Sequence, residues 1–527
     1  MNSSNKAIYP LVGSLLVVIG IFLGIFLSDG KKTDATTSGK YEQKLADIIK
    51  ILDKEYVDSI DTKQLFEKTI TDLLHGLDPH SNYIAAEDLA AMSEGIQGKF
   101  GGVGIRFTIY DDTLSVVNVI DKSPAFKVGI QKFDQIINVD GEDIANVGLS
   151  NEHVRELLKG EEGTIVNVTI LRKGEKLEKK IIRGAVPIES ITAYYMLTNE
   201  IGYIRLGQFS MQSANEFYVA AINLKGQGMK KLVFDLRYNG GGVLGSAVSI
   251  LDAILEPGTP IVSTKGKNSP ERVIYSESKP FLGHVEMAVL INSSSASASE
   301  IVAGAIQDND RGTIIGRRSF GKGLVQQDIQ LKDGSNLRLT VSRYYTPTGR
   351  SIQKSYNENY ENYMMDELNR YENGELYELD STLLVDSLKY TTPKGKIVYG
   401  GGGIMPDIFV PMDTTGSSIY YRRLQYANVF NEFSYSYVRF NNLNKYTSVQ
   451  AFDQDFKITE KILNDFKSYA AKKHNITFNA KEYYASLERI KTSIKAEIAR
   501  QKWLELGAYY IYNQTDKEIN VAIDVLK

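Results

Sequence analysis

The segment VEMAVLINSSSASASEIVAGAIQDN, residues 285–309, joins a strand-like run to a helix-like run through five closely spaced serines. The run VEMAVLIN is apolar and of strand length, whereas SEIVAGAIQDN has the apolar spacing of a helix. Strand-like and helix-like runs alternate in the same way from residue 185 to about residue 413. The order predicts an α/β sheet with helices on its faces.

The serine-rich junction has two interpretations. Small residues there let a substrate approach the backbone, and a helix N-terminus offers free N–H groups and partial positive charge to an anionic intermediate. This is the logic of a nucleophile elbow, although the Gly-x-Ser-x-Gly spelling is missing. Ser297-Ala-Ser-Glu300 equally fits a capping box, with serine at the N-cap and glutamate at N3. Taken alone, the serines favour the capping box.

A catalytic serine here would need a base other than histidine, because residues 292–327 contain none. Lys322, in SFGKG at residues 319–323, is the candidate. A lysine accepts a proton only when it is neutral, so burial in a dry pocket must lower its pKa from about 10.4 towards about 7–8. The alternative for a single lysine is a solvated surface charge.

The same region imitates a nucleotide-binding loop. Residues 316–322 fit the first seven positions of a phosphate-binding P-loop, but Gly323 stands where Ser or Thr must hold Mg²⁺. Alternating β residues follow instead of a helix. A nucleotide-driven enzyme is therefore a distant third hypothesis.

Composition excludes several other classes. The 527 residues are 43% apolar and 24% charged with a net charge of −3, so there is no basic excess for nucleic-acid binding. The absence of cysteine excludes disulfides, thiolate metal sites and a cysteine nucleophile. The five histidines are scattered. We expect no metal and no other cofactor.

The N-terminus predicts a membrane anchor. Ile8–Leu27 is a run of about 20 residues without charge, long enough to cross roughly 30 Å of hydrocarbon. A cleavable signal sequence is the alternative, but the run ends in SDGKK instead of a small-residue cleavage site. We assign residues 1–28 to the anchor (or signal sequence) and residues 29–39 to a flexible tether.

Residues 96–184 consist of short β segments around one helix-like piece, SNEHVRELLKG. With Gly102-Val103-Gly104-Ile105, SPAFKVGI and INVDGEDI in this order, they resemble a PDZ domain of the kind found in bacterial proteases. The loop Gly102-Val103-Gly104-Ile105 would present N–H groups to the terminal carboxylate of a peptide, which adds as an extra strand. Phe133 stands where such domains usually have a glycine, so we expect an altered turn there.

The remaining boundaries follow changes of pattern. Residues 40–95 look helical, residues 185–413 form the α/β core, and residues 414–527 form a helical C-terminal domain. Residues 353–398, polar and rich in tyrosine, read as an insertion into the core. The predicted fold class is a mixed α/β (α+β multidomain) core with an inserted PDZ domain, an N-terminal transmembrane helix, and helical N- and C-terminal regions.

Motifs over about residues 40–413 resemble those of the C-terminal processing (tail-specific) peptidases, serine proteases with a Ser-Lys dyad and an inserted PDZ domain. The motifs occur in the family's order, and they are LDPHSNYI, DLRYNGGG, NSSSASASEIVAGAIQDN, SFGKGLVQQ, YYTPTGRSI and GGGIMPDI. The resemblance implies that Ser297 is the nucleophile and that Lys322, 25 positions later, is the base. Ser295 and Ser299 would miss this spacing by two positions. Gln326, four residues after the lysine, would orient it.

The resemblance also implies an oxyanion hole made by the N–H groups of Ala298 and of a glycine in the run after DLRYN, most simply Gly241. Only glycine lets the backbone come so close to a substrate carbonyl. Asp235, Arg237 and Asn239 precede this run, and we expect them to hold the loop, because a carboxylate beside Lys322 would favour its charged form.

The sequence therefore predicts a serine endopeptidase that captures protein or peptide C-termini through its PDZ domain and cleaves through an acyl-enzyme. We expect it in the cell envelope, on a single-pass inner-membrane anchor with the catalytic domains on the periplasmic (extracytoplasmic) side. The PDZ domain could also gate the site. The C-terminal domain is a candidate surface for a homo-oligomer or an adaptor. The alternative function is a catalytically silent PDZ-containing scaffold that binds peptides in the same compartment.

Overall fold

The computed structural model describes residues 37–356, 360–380, 382 and 385–527. The predicted anchor, residues 1–28, and most of the tether lie outside these residues. Within the described ranges, no helix is both long enough and apolar enough to cross a bilayer. The chain divides into two compact units, one up to Leu73 and one from Leu74 onward.

Helices dominate residues 40–95, as the periodicity predicts. Two helices, Thr37–Glu55 and Thr62–His75, carry apolar residues at helical spacing. A third helix, Leu89–Gln97, begins the second unit together with a short strand, Asn82–Ile84. This strand departs from the predicted helical region, and it follows the break at Pro79.

A six-stranded sheet forms the centre of the second unit. In spatial order its strands are Ile191–Met196, Ile201–Leu206, Lys231–Asp235, Glu286–Ile291, Thr313–Gly316 and Ile408–Phe409. The first pair is antiparallel and the other pairs are parallel. The parallel strands are apolar on both faces, as expected for a sheet covered by helices on both sides.

Helices cover each face of this sheet. Three helices cover one face, and they are Ser213–Gly226, Leu244–Asp252 and Ala298–Asp308. On the other face, the last helix of the chain, Lys517–Leu526, packs on Val233, Leu290 and Ile315. The predicted α/β core is confirmed, and one of its layers comes from the far end of the chain.

A second, antiparallel sheet adjoins the core. Its strands are Asn82–Ile84, Pro260–Lys265, Arg272–Tyr275, Leu324–Gln330 and Asn336–Tyr345. The last two form the predicted hairpin, in which Gly334 adopts a φ of 88°.

Residues 99–187 form a compact β domain. Its entry and exit strands, Lys99–Gly102 and Gly184–Pro187, pair with each other. The domain's sheet strands are Ile105–Tyr110, Thr113–Val119, Gln135–Val139, Glu142–Asp143, Ile165–Arg172 and Glu175–Ile182. Two helices, Pro124–Lys127 and Asn151–Leu158, pack on this sheet.

Residues after 413 are helical, as predicted. The helices before the last one are Ile419–Tyr426, Val429–Phe440, Val449–Asp455, Glu460–His474, Ala480–Ala485 and Leu487–Tyr512. They share an aromatic-rich core of their own. The region read as an insertion contains two short helices, Tyr360–Met364 and Asp366–Glu372, a helical turn, Asp386–Leu388, and a hairpin of Lys389–Thr391 with Ile397–Tyr399.

Candidate active site

Ser297 lies at the turn between a central strand and the helix Ala298–Asp308. Its φ is 53° and its ψ is −113°, a backbone conformation that residues other than glycine rarely adopt. A sharp, strained turn of this kind lifts a serine side chain above the end of a sheet, as in a nucleophile elbow. The side chain is half-buried and the helix that follows is entirely buried.

The neighbouring serines are engaged in holding the backbone. The Ser295 hydroxyl donates to the carbonyl oxygen of Leu236 at 2.8 Å, and the Ser299 hydroxyl donates to that of Asn239 at 2.8 Å. Both serines are fully buried. Ser297 is therefore the serine of this segment that is best placed to meet a substrate.

Glu300 links the serine turn to the lysine turn. The expected capping contact is present, since the N–H of Ser297 donates to Glu300 Oε2 at 2.9 Å. The same oxygen accepts the N–H of Lys322 at 2.8 Å, while Oε1 accepts the N–H of Gly321 at 2.6 Å and the hydroxyl of Ser319 at 2.5 Å. The carboxylate is fully buried, and burial raises its pKa against the lowering effect of these hydrogen bonds. The capping box and the active-site hypothesis are thus compatible.

Tyr344 makes a second link between the same two turns. Its hydroxyl contacts the carbonyl oxygen of Ser297 at 3.2 Å and bonds to that of Lys322. Burial raises the pKa of Tyr344 well above its ordinary value, so the hydroxyl remains a donor.

Lys322 has the environment that a general base requires. Burial lowers the pKa of its amine and the charge of Arg338 lowers it further, while Glu300 and Asp78 act in the opposite direction. Within the described part of the chain, the amine makes no hydrogen bond or ion pair, and none joins it to the Ser297 hydroxyl. Contacts between a base and its nucleophile often form only in the substrate complex.

A second lysine nearby shows the contrast. The amine of Lys354 pairs with Asp366 at 2.9 Å, and it lies 3.8 Å from the ring centre of Phe320. Burial lowers the pKa of Lys354 as well, but the hydrogen bond and the charge of Asp366 act against this and favour the charged form, which makes Lys354 a poorer base than Lys322.

His80 and Asp78 border the lysine, and sequence reasoning did not assign them a role. Burial lowers the pKa of His80 to about 3, and the charge of Lys322 adds to the effect. The imidazole Nε2 bonds to the Tyr363 hydroxyl at 2.7 Å. Asp78 accepts the N–H groups of His80 and Ser81 at 2.8 and 2.9 Å. The motif LDPHSNYI was the signal that pointed to these residues.

The two N–H groups predicted to form the oxyanion hole, those of Ala298 and Gly241, differ in whether another group already accepts them. Among the described residues, no acceptor takes the N–H of Ala298. The N–H of Gly241, however, donates to Asn239 Oδ1 at 2.9 Å. In this conformation a side chain two residues earlier in the same loop already uses the N–H of Gly241, and its role as an oxyanion donor stays a prediction. The close approach expected of Gly241 is present, since a Cβ there would lie 2.7 Å from Cβ of Ser297.

Gln326 does not orient Lys322 in this structure. Its amide donates to Thr340 Oγ1 at 3.3 Å, and Thr340 donates in turn to Asp78 at 3.0 Å. The strand geometry explains the difference, because Gln326 and Thr340 are direct partners across the hairpin.

The segment read as an insertion contributes to the site. Arg370 is buried and donates to the carbonyl oxygens of Arg318, Ser319 and Phe320, at 3.2, 2.9 and 3.2 Å. It thereby fixes the turn that leads into Lys322. No motif marked Arg370 in the sequence.

The β domain of residues 99–187 contains an apolar groove of about 220 Å³. Its lining includes Val103, Gly104 and Ile105, beside Val154 and Leu158 of the domain's longer helix. Three of the four residues predicted to bind a carboxylate therefore lie at one groove. The fourth, Gly102, pairs with Gly184 in the entry strand and is not among the lining residues.

Comparisons with known proteins agree with these features. The profile of peptidase family S41 matches residues 200–360, that of the PDZ domain matches residues 101–182, and a family of unknown function matches residues 420–504. A carboxy-terminal-processing protease of Bartonella bacilliformis is 38% identical over 356 residues, which cover 64% of this chain and 80% of that protein. A probable CtpA-like serine protease of Staphylococcus aureus (strain COL) is 31% identical over 350 residues, or 65% of this chain and 69% of the relative.

Among solved structures, the photosystem II D1 C-terminal processing protease is similar to this chain with 29% identity and a TM-score of 0.34. The similarity covers 58% of this chain and 89% of that one.

Proposed function

This chain belongs to peptidase family S41 as a carboxy-terminal-processing serine protease with a PDZ domain, and on that premise we propose that Ser297 is its nucleophile and Lys322 its general base. The neutral amine of Lys322 takes the proton of the Ser297 hydroxyl as the oxygen attacks a peptide carbonyl. The N–H of Ala298 stabilises the oxyanion at the start of its helix.

Lys322 then gives its proton to the leaving amine as the C–N bond breaks, which leaves the acyl-enzyme on Ser297. In the second half of the reaction the lysine, neutral again, takes a proton from the water that attacks the acyl-enzyme. It returns this proton to the Ser297 oxygen as the carboxylic acid product leaves. A second oxyanion donor from the glycine loop requires the Gly241 N–H to leave Asn239 when substrate binds.

One observation carries this assignment: the N–H groups of Ser297 and Lys322 share Glu300 Oε2. The two backbone nitrogens are therefore less than about 6 Å apart, given ordinary hydrogen-bond lengths. A half-buried lysine that pairs with no carboxylate of the described residues is thus held beside the strained serine.

The test is turnover of a peptide with an apolar, free C-terminus by the full chain. We expect Ser297→Ala and Lys322→Ala to lose at least about a thousandfold in kcat, by analogy with other nucleophile–base pairs. Ser294→Ala, a half-buried neighbour, is the matched control and should keep its activity. Turnover by Ser297→Ala at the wild-type rate would refute the assignment, and peptide binding without turnover by the wild type would favour the scaffold alternative.

We also propose that the groove beside Gly104 binds the substrate's C-terminus. Gly104 has a φ of 82°, and a Cβ there would lie 2.3 Å from Cβ of Ser123, so Gly104→Ala should deform the loop. We expect peptide affinity to fall about tenfold or more with Gly104→Ala and to stay constant with Val147→Ala, an exposed residue of the same domain. Equal affinity for a peptide and its C-terminal amide would argue against carboxylate capture.

The membrane anchor and the extracytoplasmic location are further proposals, supported by the uncharged run Ile8–Leu27. Removal of residues 1–28 should move the protein from the membrane fraction to the soluble fraction. Full-length protein that is shielded from an externally added protease in intact spheroplasts would contradict the proposed orientation.

Self-association or adaptor binding through the C-terminal helical domain is a proposal as well. The exposed side chains of Tyr426 and Phe440 support it. Sedimentation velocity of the wild type and of Tyr426→Ser/Phe440→Ser would show whether these side chains mediate association.

A further inference from the structure

A network of charges, all buried except the part-exposed Asp516, lies at the carboxyl ends of the central strands, behind the two active-site loops. It consists of three guanidinium groups and three carboxylates, from Arg205, Arg237, Arg317, Asp235, Asp516 and Glu518. The charges balance. The role expected for Asp235 and Arg237 from the sequence was only to hold the glycine loop.

Two of the carboxylates come from the last helix of the chain. Asp516 caps this helix by accepting the N–H groups of Glu518 and Ile519, at 2.8 and 3.2 Å. The helix is anchored on the central sheet through Ile519, Ala522 and Leu526. The first turn of this helix therefore holds Asp516 and Glu518 at fixed positions beside the sheet.

Glu518 bridges two arginines from different loops. Its Oε1 lies 2.6 Å from Nη1 of Arg317, and its Oε2 bonds to Nη1 of Arg237. Of the three arginines in this network, Asp516 pairs with Arg237 alone, at 2.8 Å. In the part of the chain that the structure describes, Glu518 is the only carboxylate paired with Arg317, whose other acceptor is the carbonyl oxygen of Val410 at 3.1 Å.

Each arginine begins one of the active-site loops. Arg237 directly precedes Tyr238–Gly241, and its own carbonyl oxygen is held by Arg205 Nη2 at 3.0 Å. Arg317 begins the run that ends at Lys322, and its N–H donates to the carbonyl oxygen of Ile291, at the end of the strand that leads to Ser297. One side chain thus bridges the start of residues 238–241, here called the oxyanion loop, and the start of residues 317–322, here called the base turn.

We propose that Glu518 is a positioning residue for the reaction of Ser297 and Lys322. By pairing with Arg237 and Arg317 together, it fixes the oxyanion loop and the base turn in the spacing that the transition state needs. This inference rests on the proposed function of the two residues. It makes the last helix part of the catalytic apparatus, although that helix lies outside the residues matched by the S41 profile.

The competing explanation is that Glu518 only neutralises buried charge and attaches the helix. An experiment can distinguish the two explanations, because a buried ion pair can often be replaced by apolar residues of similar size without loss of stability. The double variant Arg317→Met/Glu518→Met removes the pair without leaving an unpaired charge, and the remaining network of two arginines and two carboxylates stays balanced.

The experiment compares the full-length wild type with Glu518→Gln, Arg317→Met/Glu518→Met, Asp524→Asn and Ser297→Ala. Asp524 is on the same helix but exposed, paired with Lys527, and serves as the control. Each variant is assayed well below its unfolding midpoint, which is followed by the fluorescence of the single tryptophan, Trp503. The readouts are kcat, KM, the rate of labelling by a fluorophosphonate, and affinity for a peptide with a free C-terminus.

For Glu518→Gln we expect kcat and the labelling rate to fall together by about 100-fold, because a shift of catalytic groups by about 1 Å has an effect of this size. We expect KM and peptide affinity to stay within about twofold of the wild-type values. The double variant should keep the low kcat even if its midpoint returns to that of wild type. Wild-type kcat in Glu518→Gln, or recovery of kcat in the double variant, would overturn the proposal. Turnover by Ser297→Ala would instead refute the proposed function on which it rests.

Discussion

Ser297 and Lys322 are joined twice through their backbones. Their N–H groups donate to one oxygen of Glu300, at 2.9 and 2.8 Å, and their carbonyl oxygens both contact the hydroxyl of Tyr344. The spacing of the proposed nucleophile and base is therefore set by buried groups, before the two side chains meet. A flexible lysine side chain needs such a fixed origin if it is to reach one hydroxyl repeatedly.

Glu300→Gln should disable the enzyme and weaken the fold. Glutamine offers one acceptor oxygen instead of two. Its NH₂ group must therefore face N–H or O–H groups that now donate to the carboxylate of Glu300. We expect kcat to fall about 100-fold and the free energy of unfolding to fall by about 1–3 kcal/mol for the unpaired donors. Turnover assays and urea unfolding measure the two effects.

Glu286→Gln is the control, because Glu286 is exposed on the strand that precedes the serine turn. Wild-type kcat in Glu300→Gln would show that the shared carboxylate oxygen has no part in positioning.

Gly241→Ala should abolish activity, whereas Gly240→Ala should not. A Cβ at Gly241 would lie 2.7 Å from the carbonyl oxygen of Ala296 and from Cβ of Ser297, and the φ of 99° is unfavourable for alanine. At Gly240 a Cβ meets nothing within 4 Å. We expect a loss of at least about 100-fold in kcat for the first variant and less than about threefold for the second. Equal losses in the two adjacent variants would contradict the close approach of this loop to the nucleophile.

Local patterns in the sequence predicted the elements but not the contacts between distant segments. Apolar runs and their spacing are local properties, so the α/β core, its helices and the hairpin at Gly334 were predictable. The family motifs pointed to Ser297 and Lys322, and the structure holds the two residues on adjacent turns. The bond from Gln326 to Thr340 depends on strand register, which no motif records. The contact of Arg370 with the base turn depends on how the segment after residue 353 folds back.

The activity of this protease should rise with pH as Lys322 loses its proton. Arg338 is one of the groups that lower the pKa of Lys322, so Arg338→Gln should raise that pKa. The rising limb of kcat/KM against pH should then move to higher pH, with a lower rate near neutrality and an unchanged plateau. Arg343→Gln, at an exposed position on the same strand, is the control. A limb that stays in place or moves to lower pH would disagree with this account of the base.

Lys322→Met should be inactive but more stable than the wild type. The folded-state pKa of Lys322 lies below its unfolded value of 10.5, so between these two values the unfolded chain binds more protons than the folded chain. Wild-type stability therefore rises with pH across that window, and near neutrality the buried amine costs stability. Methionine removes this cost, and we expect a gain on the order of 1 kcal/mol at pH 7 that shrinks towards pH 10.

Urea unfolding at the two pH values measures the gain. Lys332→Met, an exposed lysine of the nearby hairpin, should show no such gain. A destabilised Lys322→Met variant would mean that the amine contributes a favourable contact.

Phe133 holds the PDZ domain against the C-terminal helical domain at the expense of a strained backbone. Its φ is 72°, and its ring centre lies 5.6 Å from that of Tyr435, which also contacts Tyr110. Phenylalanine has a left-handed backbone conformation at this position, which glycine adopts without the steric cost of a Cβ atom. We expect Phe133→Ala to lower the unfolding midpoint and Phe133→Gly to regain about 1 kcal/mol of that loss by relieving the strain.

Both variants should lose the docking contact equally, and hydrogen exchange of Val429–Phe440, the helix that contains Tyr435, measures it. Faster exchange in this helix for both variants, with a higher midpoint for glycine than for alanine, separates strain from docking. The same exchange rate as in the wild type would mean that the PDZ domain is held by other contacts, such as the ion pair of Asp111 with Lys473 at 2.6 Å.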